Sequence, residues 1–130
     1  MTSKELSQLY YLNREIESDK RRLAELEAAA TSVTSKITGL PHAGGKSDKT
    51  ALAADIAVLK DIVKNKIERS LLEYKRLLNY IDSIDDSLIR QIMTFRHVNG
   101  LSWNRVADSI GGGNTGDTVR IKHNRFLKKN

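Results

Sequence analysis

The residues whose types and spacing could do chemistry lie in two glycine-rich runs, a pair of acids and three histidines. Residues 110–120 read IGGGNTGDTVR, and the GGGNTG within them fits G-x-G-x-x-G, the loop that cradles dinucleotide phosphates. Such a loop needs a strand before it and an acidic residue about 20 positions further on. The preceding LSWNRVADSI is helical in pattern, and no acidic residue follows Asp117. A second run, GLPHAGGKS, places five residues between Gly39 and Gly45. A phosphate-binding P-loop requires about four there, after a Val/Ile-rich strand that is missing. His42, His97 and His123 lie in three segments without i,i+4 spacing, which argues against a zinc site; His123 is expected to be a partly buried residue of the last helix. Asp85 and Asp86 fit a helix start, where acids complement the dipole, better than a metal-binding pair. Catalysis has no positive support, so the chain is read as a non-enzyme with no cofactor and no metal.

What remains is charge. The chain has 130 residues and a formal charge of +6, and the excess is localised. Residues 1–89 hold 14 basic and 14 acidic side chains. Residues 90–130 hold Arg90, Arg96, Arg105, Arg120, Lys122, Arg125, Lys128 and Lys129 against Asp108 and Asp117 alone. A localised basic field is the footprint of a polyanion-binding surface. No long apolar run or signal-peptide pattern is present, and the absence of Cys fits a reducing cytoplasm.

The elements that position these charges read as helices throughout, since aromatics are 5% and Pro occurs once. Over residues 3–30, Leu9, Leu12, Ile16, Leu23, Leu26 and Ala30 repeat at alternating 3–4 spacing, broken at Asp19. Residues 31–50 turn to Ser, Thr, Gly and Lys and read as a connecting loop. Over 51–82, Leu52, Ile56, Leu59, Val63, Ile67, Leu71, Tyr74, Leu78 and Ile81 recur about every 3.6 residues, the period of a straight helix. Each helix has one apolar stripe, so the pair is expected to form a coiled-coil-like hairpin, or to dock on another subunit.

The last third holds three shorter helices. The first, 85–98, carries Leu88, Ile89, Ile92, Met93 and Val98, and Gly100 closes it. The second is capped by Ser102, turns Val106, Ala107 and Ile110 inward, and stops at Gly111. The third, 116–128, starts from Thr115 and puts Val119, His123 and Phe126 on one face. Two short helices joined by a glycine-containing turn can set the second in a major groove. The opposite face of that helix presents Asp117, Arg120, Ile121 and Asn124 as base-reading candidates, with Arg120 suited to guanine and Asn124 to adenine. Arg96, Ser102, Arg105, Thr115, Thr118, Lys122, Arg125, Lys128 and Lys129 are the candidates for phosphate. Trp103 has a phosphate-contact reading through its indole N–H, and a commoner one as packing at the helix junction.

GLSWNRVADSIGGGNTGDTVRIKHNRFLKK resembles region 4 of sigma-70-type factors, with Gly100, Leu101, Ser102, Trp103, Val106, Ala107, Gly111, Thr115, Val119 and Arg125 in matching places. The turn departs from that pattern: Gly112, Gly113 and Asn114 make it about two residues longer than usual. With Thr38, Gly39 and Pro41 in the connector, the whole layout is similar to small phage and prophage regulators, broadly the RinA/ArpU-like and related phage families. The resemblance implies an all-α fold with an oligomerising hairpin over 1–82 and a DNA-binding helix–turn–helix domain over 83–130. It also implies double-stranded DNA as partner, self-association through the N-terminal helices, no membrane, and a place in the bacterial host cytoplasm. Two other roles fit the same layout: a small-terminase-like packaging protein, and a sigma-like module that grips host RNA polymerase.

Overall fold

The computed structural model describes residues 1–39 and 46–129; Pro41, His42 and the rest of 40–45, together with residue 130, lie outside the described residues. The described residues form helices and no strand. They are α1 (Ser3–Leu6), α2 (Gln8–Gly39), α3 (Lys46–Asp82), α4 (Ser87–Met93), a π-helical turn (Thr94–Val98), α5 (Trp103–Ile110) and α6 (Gly116–Lys129). No described helix is long and apolar enough to cross a membrane.

The expected loop over 31–50 is shorter than its composition suggests. α2 continues to Gly39 and α3 begins at Lys46. Ala28, Ala29 and Ala30 are strong helix formers just upstream, and adding a residue to an existing helix needs no new nucleus. The polar residues that follow are therefore carried along in helical form.

The chain divides into two compact units, one of residues 1–14 with 72–130, the other of residues 15–71. The boundary expected at residue 82 falls inside the first unit. The reason is burial: Leu6, Leu9, Leu77 and Ile81 join Ile84, Ile89, Ile92, Met93, Val106, Ala107 and Val119 in one apolar core. Burying each such Leu, Ile or Val contributes roughly 1.5–3 kcal/mol, so the last turns of α3 belong energetically with the short helices. Tyr10 adds its ring against Gly100.

In the second unit, Ile16 of α2 and Ile56, Val63 and Ile67 of α3 are buried. Leu52, Leu59 and Leu71, expected inward, are 49%, 40% and 42% exposed. Ser70 is buried where Leu71 was expected, because the covered positions Ala53, Ile56, Lys60, Val63, Ile67 and Ser70 alternate in steps of three and four, a 3.5-residue seam that leaves the 3.6-residue stripe one position to the side. Asp19, the break in the α2 pattern, is itself buried and accepts a hydrogen bond from Lys66 Nζ at 3.4 Å, with Glu15 also 3.4 Å from that ammonium. A carboxylate can occupy a seam position only with such a partner.

Each short helix begins with a side-chain cap. Asp86 Oδ1 accepts from the amides of Leu88 (2.9 Å) and Ile89 (3.2 Å). Ser102 Oγ accepts from Arg105 N at 3.4 Å. Thr115 and Thr118 cap reciprocally: Thr118 N donates to Thr115 Oγ1 (3.2 Å), and Thr115 N donates to Thr118 Oγ1 (2.8 Å). The first of these helices loses its α pattern at Thr94, whose hydroxyl donates to the Arg90 carbonyl at 2.8 Å and competes with the backbone ladder. The Asn99 amide then reaches back five residues to Thr94 O at 3.1 Å, a wider turn.

The glycine run is a turn between helices. Gly111, Gly112 and Gly113 have φ of 73°, 65° and 77°, values that cost side-chain-bearing residues about 1–2 kcal/mol each. Asn114 fastens the turn by donating from Nδ2 to Gly111 O at 2.8 Å. Gly116 meets a different constraint: it is buried against α5, and a Cβ there would collide with Asn104 Oδ1 and stand 3.2 Å from the Asn104 amide nitrogen. Gly116→Ala is therefore expected to destabilise the chain by about 1–3 kcal/mol through overpacking. Urea unfolding should show a lower midpoint with an unchanged slope; an unaltered midpoint would mean that α5 and α6 are not in this close contact.

Candidate nucleic-acid interface

α6 owes its two faces to its spacing. Val119 and His123 are buried and Phe126 half-buried, packed towards α5 and α4. The opposite side brings together Asp117, Arg120, Ile121 and Asn124, all exposed, and Lys128 continues it one turn later. Thr118, Lys122, Arg125 and Lys129 follow at helical spacing along one flank, and all four are exposed. Arg105 is exposed on α5. The α6 surface thus has a mixed central strip with a cationic border, the layout that base reading beside phosphate gripping requires.

Several expected contacts have duties inside the fold. Arg96 is turned inward: its guanidinium carbon lies 4.3 Å from the Trp103 ring centroid, and Nη1 donates to Leu101 O at 2.9 Å. That geometry gives Arg96 a packing role and fixes its Nη1, so any phosphate contact would fall to the remaining N–H groups of its half-exposed guanidinium. Arg90 is tied similarly, donating to Ile84 O at 2.6 Å. The hydroxyls of Ser102, Thr115 and Thr118 hold helix starts, so any phosphate contact from those turns would have to share a capping hydroxyl or use backbone N–H. Arg120 Nη2 lies 3.6 Å from Asp117 Oδ1, an exposed pair that contributes little to stability but limits the reach of the arginine.

Trp103 packs at the helix junction. Its ring meets His123 edge-on, centroids 4.9 Å apart. His123 is 0% exposed and not partly buried as expected, and its Nε2 lies 2.8 Å from Nε2 of His97, 3% exposed. On its other side, His123 Nδ1 lies 2.9 Å from Asn124 Oδ1. Nothing local in the sequence announces this pair, since the partners are 26 residues apart and on different helices. Burial, the neighbouring ring and the Arg96 charge push the His97 pKa down to about 3. Burial, against the raising effect of the Asn124 hydrogen bond, also lowers that of His123.

Both rings are therefore neutral in the folded chain near neutral pH, while unfolding returns them to about 6.5. The unfolded state then binds more protons below that value, so this part of the stability is present above pH 6.5 and is lost as pH falls towards the folded values. The loss is at most about 1.4 kcal/mol per pH unit for each histidine. Glu5 and Glu73 have pKa values lowered from 4.5, so their protonation acts in the same direction as that of the histidines, but only near and below that value, under this window. The denaturation midpoint should fall between about pH 7 and pH 5, and His97→Gln should flatten that dependence. A parent midpoint that is flat over this range would contradict the neutral pair. No protein-family model matches the chain, and no curated protein or solved structure matches it either.

Proposed function

We propose that this chain is a sequence-specific DNA-binding transcription regulator of the phage or prophage type. In this reading α5, the glycine turn and α6 act as a helix–turn–helix with α4 behind it, a sigma region 4-like domain, and α6 enters the major groove. The observation that carries the proposal is the exposed strip of α6: Arg120, Ile121 and Asn124 are bordered by Lys122, Arg125 and Lys129, while the other face of the helix is buried. Arg105 and Lys128 extend the cationic border. The two-helix unit of residues 15–71 serves self-association in this scheme. Val58 and Ile62, 58% and 56% exposed on one side of α3, are the apolar contacts a second copy would cover.

Selection of duplexes from a random pool at two salt concentrations tests the proposal. Enrichment of one motif is the expected result; salt-sensitive binding without a motif would favour packaging. Arg120→Ala should relax preference at one position, by about 1–3 kcal/mol, whereas Lys128→Ala should weaken all sequences alike and reduce the salt slope by about one. Unchanged binding in both variants would remove α6 as the reading helix. Light scattering separates the assemblies, a dimer or small oligomer for a regulator against a large ring for a packaging protein. Co-purification with RNA polymerase, with weak DNA affinity alone, would favour the sigma-like role.

A further inference from the structure

Asn124 differs from its neighbours on the exposed strip of α6, because its amide is joined to the core. Asn124 Oδ1 is 2.9 Å from His123 Nδ1, and His123 Nε2 is 2.8 Å from His97 Nε2. Both rings are buried, so no bulk water competes for these nitrogens. Proton counting fixes the direction of the chain of contacts. A neutral imidazole carries one N–H, and an amide oxygen can only accept. His123 must donate from Nδ1 to Asn124, which leaves its Nε2 as a lone pair. His97 must then donate from Nε2. A reversed Asn124 amide would invert both protons, so the tautomers and the amide orientation form a single choice.

We infer that His97 and His123 form a buried hydrogen-bond relay that holds the Asn124 carbonyl inward and presents its NH₂ group outward as a donor to base edges. The inference rests on the DNA-reading role proposed for α6. Adenine in the major groove offers an acceptor at N7 beside a donor at N6, and reading it bidentately needs both ends of an asparagine amide. Oδ1 keeps a second lone pair, but it is directed at a buried nitrogen of His123, so the two ends of the amide do not face one base edge together. Two outward N–H groups suit an edge of acceptors, guanine N7 and O6 foremost. Asn124 is thus assigned to guanine in place of adenine. His97 and His123 are positioning residues that act through it.

Two measurements on the full chain decide this. Long-range ¹H–¹⁵N correlation at neutral pH should show His123 protonated at Nδ1 and His97 at Nε2; a proton on His123 Nε2 would overturn the relay. Duplex selection should then compare the parent with Asn124→Asp, His97→Gln and His97→Leu. Asn124→Asp still accepts from His123 but has no donors, so guanine enrichment at one position should fall on the order of tenfold. His97→Gln can still donate to His123 and should keep the parental motif, whereas His97→Leu should blur it at that same position. A parental motif that survives unchanged in folded Asn124→Asp overturns the assignment while leaving the DNA-reading role intact. If His97→Leu does not fold, the tautomers and Asn124→Asp remain decisive. A parent that enriches no motif overturns the DNA-reading role itself, and the base assignment with it.

Discussion

The hydrogen bond between His97 and His123 is the contact on which the C-terminal helices depend. Two imidazoles 2.8 Å apart sit where an apolar core would ordinarily place leucine or phenylalanine. Burying a polar ring is favourable only when its nitrogens find partners. Each ring supplies what the other lacks, one N–H for one lone pair. That complementarity joins the π turn after α4 to the middle of α6. Trp103 closes the site edge-on to His123, and the Arg96 guanidinium lies over the indole ring. Removing one histidine leaves the other with an unmet nitrogen in a dry site, which is more costly than the net value of the bond itself.

The same cluster explains how the positive charge is distributed. Arg90 and Arg96 contribute to the net charge as fully as any lysine on α6, yet each donates to a backbone carbonyl beside an interhelical junction. Their role is to satisfy Ile84 and Leu101, whose carbonyls lie outside the regular helical ladder. A bond to a neutral carbonyl leaves the charge of Arg90 and Arg96 in the field while fixing their side chains; the exposed cations of this part of the chain cluster on α6, with Arg105 beside them on α5. A smaller set of cations on one helix is a more directional feature than a uniformly basic domain.

Elements governed by short-range chemistry are legible in the sequence. Asp86, Ser102 and Thr115 each precede an apolar pattern and accept from amides two or three residues on, an arrangement visible in the residue order alone. Gly111 likewise ends α5 where its position suggests. The α3 stripe is broader than the seam it forms, since an apolar period identifies a helix but not how much of its face a partner covers; Leu52, Leu59 and Leu71 are on the uncovered margin. The connector is shorter than its residues imply, because polar composition says little about whether an existing helix will propagate through it. Arg96 and the histidine pair are illegible for another reason: their partners are fixed by packing across helices, and no spacing rule links residues 97 and 123.

These distinctions bear on the long turn between α5 and α6. A loop with three consecutive positive-φ glycines would, by itself, leave the following helix free to tilt, since each glycine opens conformations closed to other residues. The direction of α6 is set elsewhere. Gly116 lies too close to Asn104 for any side chain, the two threonines fix the first helical turn, and His123 is bonded to His97 on the far side of the core. Three constraints along one helix determine both its position and its rotation about its own axis. The extra turn residues therefore act as slack: they let the chain span the gap without dictating the outcome. Which side chains α6 presents outward follows from the buried pair and the glycine contact, so a change in the core at His97 acts on the exposed strip more directly than a change in turn length.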